Sequence, residues 1–139
     1  MSNWRWQNIS KKEATCSCGC GAVASPEWLD WLQDLRDHVG FPLPFRSIVR
    51  CLVHNKAIGG SSTSVHLLSA EPNPYGGADI GIKPRSRAQG GAPDKVYKVV
   101  KAAFGMGFNN IEICNGHIHI GHVPPGHPQY ECVYWGQSK

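Results

Sequence analysis

The segment Ile111-Glu112-Ile113-Cys114-Asn115-Gly116-His117-Ile118-His119-Ile120-Gly121-His122-Val123 decides how this chain folds. Asn-Gly is a favoured pair for the tight turn of a hairpin, and an apolar run lies on either side of it. Ile111 to Cys114 and His117 to Val123 therefore read as two antiparallel strands. Residues two apart on a strand share a face, about 6–7 Å from one another. His117 and His119 thus point one way, while Ile118 and Ile120 point the other way, into a core.

Working outward, Tyr130 to Trp135 supplies a last strand. Phe45 to Leu52 reads as a strand centred on Ile48 and Val49, and Ala78 to Ile82 as a short one. Ser25-Pro26-Glu27 opens a helix, because Ser caps, Pro suits the first helical position and Glu complements the dipole. Trp28, Leu32, Leu35 and Val39 form its apolar stripe, Trp31 widens it, and Gly40 with Pro42 ends it. Pro93 opens a second helix with Val96, Val99, Val100 and Ala103 facing inward and Gly105 as its stop. His54 to Ser64 and Glu71 to Gly77 read as loops. The expected fold is α+β, an antiparallel sheet with helices packed mainly on one side. Residues 1–139 form a single domain, with 1–24 as an irregular, Cys-rich arm.

The composition excludes several classes. Of 139 residues, 41% are hydrophobic and 17% charged, which supports a packed core and argues against disorder. No apolar run approaches the ~20 residues that span a bilayer, and the N-terminus carries no apolar signal region, so we expect synthesis in the cytoplasm and no membrane insertion. The net charge is +4, with one small basic cluster at Lys83, Arg85 and Arg87. That reads as a solvated face, with no nucleic-acid partner. Three of the six cysteines alternate in Cys16-Ser17-Cys18-Gly19-Cys20. They lack the two-residue spacing and second pair of a zinc ribbon. We expect a packed, reduced cluster that holds no second catalytic metal; disulfides, or a metal shared with a later Cys or His, are the alternatives.

The chemistry-bearing residues are His66, Asp79, His117 and His119. His66, Asp79 and His119 offer two imidazoles and a carboxylate, and catalytic zinc typically takes three protein ligands, leaving a position for water. Taken singly, His66 also reads as a satisfied loop histidine, Asp79 as a turn or capping residue, and the paired histidines as an incidental polar face.

In order, Ser47-Ile48-Val49-Arg50-Cys51, His54-Asn55, Gly59-Gly60, Ser64-Val65-His66, Gly77-Ala78-Asp79 and His117-Ile118-His119 resemble the motifs of the zinc D-alanyl-D-alanine carboxypeptidase family. The resemblance covers about residues 12 to 123 and includes the Cys-rich start. It implies the hedgehog/D,D-peptidase fold of a family that includes phage endolysins and vancomycin-resistance dipeptidases. It implies one zinc ion held by His66, Asp79 and His119. It also implies that Arg50 faces the substrate carbonyl or carboxylate, that Ser64 helps bind substrate, and that His117 assists at the reacting centre. The implied substrate is the peptidoglycan stem peptide. The implied protein is a monomeric, small phage-type lysis enzyme that reaches the wall by holin-type release or in a virion. A non-catalytic zinc-containing module of the same fold, and a virion or cell-surface structural domain, are the alternatives.

Two positions depart from the family pattern. The family spaces its ligands as Ser-x-His-x-x-Gly-x-Ala-x-Asp, whereas here Leu67 to Tyr75 intervene and read as a loop inserted over the cleft. Glu71 is the only rival to Asp79. The carboxylate that many members carry three residues before the last His is replaced by Gly116, and the acid that small members carry two residues after it by Gly121. A proton acceptor must then come from His117, Glu112 or His122, and His117 is favoured because histidine as a residue type suits proton transfer near neutral pH, and for its strand face.

Overall fold

In a computed structural model of the chain, residues 4–70 and 73–135 are described. Helix α1 spans Pro26–Val39. The Ser25 hydroxyl accepts from the Trp28 N–H at its start, and Gly40 closes it in the left-handed region at φ 77°. These are the start and stop expected from the sequence. Strand β1, Phe45–Ser47, is shorter than expected, and a helix α2, Leu52–Ala57, begins where the strand was expected to end. A 3₁₀-helix covers Val65–Ala70 and leads to β2, Gly76–Ile80. Helix α3 runs Pro93–Met106, past Gly105, and stops at Gly107 with φ 96°. Strands β3, Asn110–Ile113, and β4, Ile118–His122, form the expected hairpin; β5, Cys132–Trp135, follows.

The sheet order is β1-β2-β4-β3-β5. All pairings are antiparallel except β3 with β5, which is parallel, so a mixed sheet replaces the antiparallel one expected. The α+β class holds, with helices packed alongside the sheet. Among the described residues, no helix is long and apolar enough to cross a membrane.

Alternation on the central strand β4 sorts the molecule into a core side and a cleft side. Ile118 and Ile120 are fully buried with Ala78 and Ile80 of β2 and Ile111 of β3. They share one core with Trp28, Leu29, Leu32 and Leu35 of α1 and Val99 and Ala103 of α3. Each buried Ile or Leu contributes about 1.5–3 kcal/mol. Asp79, His119 and Glu112 lie side by side across β2, β4 and β3 in register, which puts them together on the opposite face.

Among its described residues the arm before α1 has no helix or strand, as expected, but it is packed. Ile9, Ala14 and Cys16 are buried, Trp6 Nε1 donates to Asp30 of α1 at 2.9 Å, and Thr15 bridges Val23. Two members of the basic cluster are engaged locally: Arg85 donates to Asn115 in the hairpin turn, and Arg87 pairs with Asp94 at 3.1 Å.

Candidate metal centre and cleft

Asp79 Oδ1 is the point on which the site converges. His119 Nδ1 lies 3.0 Å from it, His66 Nε2 3.4 Å and His117 Nε2 3.8 Å. Three parts of the fold supply them: Asp79 comes from β2, His66 from the 3₁₀-helix, and His119 and His117 from β4 and the residue that enters it. His66, Asp79 and His119 form a group whose ligand atoms all lie within 4.8 Å of one another, close enough to share one metal ion.

The outer partners of the two imidazoles show why this group fits a cation. His66 Nδ1 faces the Ile48 carbonyl oxygen at 3.4 Å. A carbonyl only accepts, so the proton sits on Nδ1 and the Nε2 lone pair faces Asp79. His119 Nε2 faces Asn110 Oδ1 at 2.8 Å, while the Asn110 amide nitrogen is turned toward the Gln129 carbonyl. This fixes the proton on Nε2 and leaves the Nδ1 lone pair facing Asp79. When both imidazoles are neutral in these tautomers, two lone pairs and a carboxylate oxygen point at one another, the arrangement that a shared cation satisfies. That donor set, two neutral imidazoles and one carboxylate with fixed tautomers, suits zinc.

The electrostatics agree. Burial pushes the His119 imidazole below its ordinary value, so it stays neutral. Burial raises Asp79, but without a metal the His119 and His66 ring nitrogens can carry protons toward it, and that hydrogen bonding and charge outweigh burial and hold its carboxyl well below the usual range. The nearby Cys114 thiol is pushed up to about 12 by burial and by the negative charge of Glu112 and Asp79, so it offers no thiolate nucleophile.

Small residues make room for this arrangement. A Cβ on Gly77 would lie 2.5 Å from Val65 Cγ2 and 2.9 Å from His119 Cε1. A Cβ on Gly121 would lie 2.9 Å from Asn110 Oδ1. Ser69 pins the open side of β2, accepting from the Gly77 N–H at 3.1 Å and donating to its carbonyl at 3.2 Å.

The triad opens into a cavity of about 370 Å³ that Arg50, Ser64, Glu112 and His117 also line. Arg50 follows β1, and its N–H bonds the His66 carbonyl at 3.2 Å. Its Nη1 donates to Asn55 Oδ1 at 2.9 Å and to Ser64 Oγ at 3.4 Å. Asn55 is buried on α2 and donates in turn to the Ser61 carbonyl.

Every residue named for the site from the sequence, namely Arg50, Ser64, His66, Asp79, His117 and His119, lines this one cavity. His122 does not. It stands on the other face of β4, stacked on Trp31 at 4.0 Å with Nδ1 2.9 Å from the Pro74 carbonyl. Its even position in the alternation puts it on the core side with Ile118 and Ile120, so the expectation that it could serve as the proton acceptor is corrected. The described residues of the Leu67 to Tyr75 segment do not form a loop over the cleft either. Its first part is 3₁₀-helix against β2, and Asn73 and Tyr75 pack toward Ser25 and His122. Glu71 lies outside the described residues. Asn110 was missed from sequence. Its signal was its phase, since it shares a strand face with Glu112.

No curated protein and no solved structure matches the chain. A family model does, across residues 3–121. Joined to a metal-ready His66-Asp79-His119 triad at the mouth of a cleft, that match makes the chain a member of the Peptidase M15 family and a zinc-dependent peptidase.

Proposed function

We propose that this peptidase cuts peptide bonds in the stem peptides of bacterial peptidoglycan, with one zinc ion held by His66, Asp79 and His119. The observation that carries the reading is Arg50: its guanidinium lines the triad's cavity and is braced by Asn55 and Ser64. When bound, zinc lowers the pKa of water toward ~7 and polarises a carbonyl. Arg50 holds the developing oxyanion or a terminal carboxylate of the stem peptide, where a planar guanidinium pairs best. Ser64 orients Arg50 and contacts substrate. His117 takes a proton at Nε2 and returns it to the leaving amine. Glu112 is a second reading for this acceptor, favoured by its place beside His119 across the hairpin and in the cleft wall.

The resemblance to small phage-type members supports a lysis enzyme that acts as a monomer, is made in the cytoplasm, and meets the wall after holin-type release or in a virion. The mild positive charge would aid approach to an anionic wall. Incubation of the zinc-loaded protein with purified peptidoglycan and synthetic stem peptides tests the proposal. We expect new amino and carboxyl termini by mass spectrometry, lost with a chelator and restored by zinc, and a loss of about 10²–10³-fold in Arg50→Ala. Intact stem peptides beside hydrolysis of unrelated peptides would overturn it.

A further inference from the structure

A second cluster of metal-ligating side chains lies outside the cleft. Cys16, Cys18 and Cys20 of the arm meet Cys51, which stands at the start of α2, and all four sulfurs lie within 4.8 Å of one another. Cys18 Sγ is 3.5 Å from both Cys16 Sγ and Cys51 Sγ. Four sulfurs around a zinc ion at ~2.3 Å form a tetrahedron with edges of about 3.8 Å. The observed separations fit that edge, and all four cysteines are free.

The backbone is shaped for this convergence. Gly19 and Gly21 adopt φ of 84° and 86°, a left-handed conformation that coils the short run so that alternate thiols turn inward. The Thr15–Val23 bridge and the Cys16 N–H to Ala22 carbonyl bond, at 2.8 Å, close the base of this loop. Two main-chain amides point at sulfur: the Cys51 N–H at Cys16 Sγ, 3.5 Å, and the His54 N–H at Cys51 Sγ, 3.3 Å. Amides aimed at sulfur stabilise thiolates, which are the ligand form. Cys18 and Cys20 are exposed, which gives an ion a path in.

We propose that Cys16, Cys18, Cys20 and Cys51 form a structural tetrathiolate site for zinc, separate from the His66-Asp79-His119 centre. With four protein ligands the site is closed, so it carries no open position for substrate or water. Binding exchanges four thiol protons for one divalent ion, the protons passing to solvent. The ion staples the arm to the start of α2. Cys51 adjoins Arg50, and α2 carries the Asn55 that braces it, so the staple also fixes the cleft arginine from behind. This replaces the metal-free thiol cluster and single zinc expected from sequence; the second ion is structural and takes no part in the reaction.

The test counts metal and thiols on full-length protein purified under reducing conditions with zinc and then desalted. We expect about two zinc ions per chain, and about one in His66→Ala, which lacks the other centre. Cobalt loaded into His66→Ala should give a thiolate-to-metal charge-transfer band and the strong visible bands of a tetrahedral ion. Cys20→Ser, at an exposed position, should weaken both. Zinc in native protein should also shield the four thiols from a thiol reagent until a chelator is added. Cobalt-loaded His66→Ala without a thiolate band overturns the site. So do four freely reacting thiols in zinc-loaded native protein, or a mass two hydrogens short that reports a disulfide. None of these readouts depends on hydrolysis, so they stand or fall apart from the peptidase reading.

Discussion

Asn110→Ala removes the acceptor that fixes the His119 tautomer, without touching any ligand. Asn110 is buried, and its Oδ1 lies 2.8 Å from His119 Nε2. With the oxygen gone, two outcomes are open to the imidazole. It can keep its proton on Nε2 with no partner, which costs about 1–3 kcal/mol in a buried site. It can instead move the proton to Nδ1, where it donates to Asp79 and blocks the lone pair a metal needs. Either route penalises the metal-bound state. A cost of about 1.4–2.8 kcal/mol is a 10–100-fold loss of affinity, the usual effect of removing such a partner. Peptide hydrolysis against buffered free zinc, compared with the parent under the same conditions, reads the change at this centre, because Asn110→Ala leaves the four cysteines untouched. Asn109→Ala is the control: Asn109 bonds the backbone of Val123 through both ends of its amide, away from the cleft. It should lower stability and keep zinc affinity. Unchanged affinity in folded Asn110→Ala, or an equal loss in Asn109→Ala, refutes the tautomer argument.

Three further outcomes are expected. His117→Ala should keep the metal of the triad and lose about 10²–10⁴-fold in hydrolysis, with Glu112→Gln much less affected; the opposite ranking moves the proton acceptor to Glu112. Gly77→Ala forces a Cβ against Val65 and His119, so it should cost about 1–3 kcal/mol in denaturant unfolding and weaken metal binding; a variant equal to the parent in both would show that the ring has room to shift. In metal-free protein the folded His119 pKa lies below the unfolded value of ~6.5, so the unfolded chain takes the proton first and stability falls as pH drops through about 6.5. Asp79 is depressed too, so its contribution is full above ~3.9 and is lost on further acidification. A denaturation midpoint that stays flat from about pH 7 to 5 would contradict the neutral, buried His119.

The β3–β4 hairpin was legible because a favoured turn pair and strict alternation agree there, and the same alternation assigned His117 and His119 to one face. The α1 boundaries were legible because Ser25, Pro26 and Gly40 each occupy the position their chemistry favours. Helix α2 was not. It is six residues long, it leaves Leu52 and Val53 exposed, and its first turn is capped by the Cys51 sulfur, which is no ordinary capping group. The expected strand through Ile48 and Val49 is cut short because the chain turns there to face the Ile48 carbonyl to His66. The parallel pairing of β5 was illegible because strand composition carries no direction. Asp79 stood out only through its family-like neighbours, since the longer spacing from His66 is absorbed by a 3₁₀-helix that no period-2 or period-3.6 pattern announces. The meeting of Cys51 with the arm is a tertiary fact, with no local trace beyond the unusual number of cysteines.

The register of β2 on β4 orders events in time. The hairpin β3–β4 closes a short turn, whereas Asp79 and His119 are 40 residues apart and meet only when β2 docks on the far side of β4. Closing that larger loop is the slower step, because its entropy is lost before the contact is gained. A metal ion that needs both ligands therefore arrives after the rate-limiting barrier and acts as a latch. Zinc should slow the unfolding limb of a chevron plot and leave the refolding limb nearly unchanged. A refolding rate that climbs with zinc concentration would mean that the ligands gather before the sheet does.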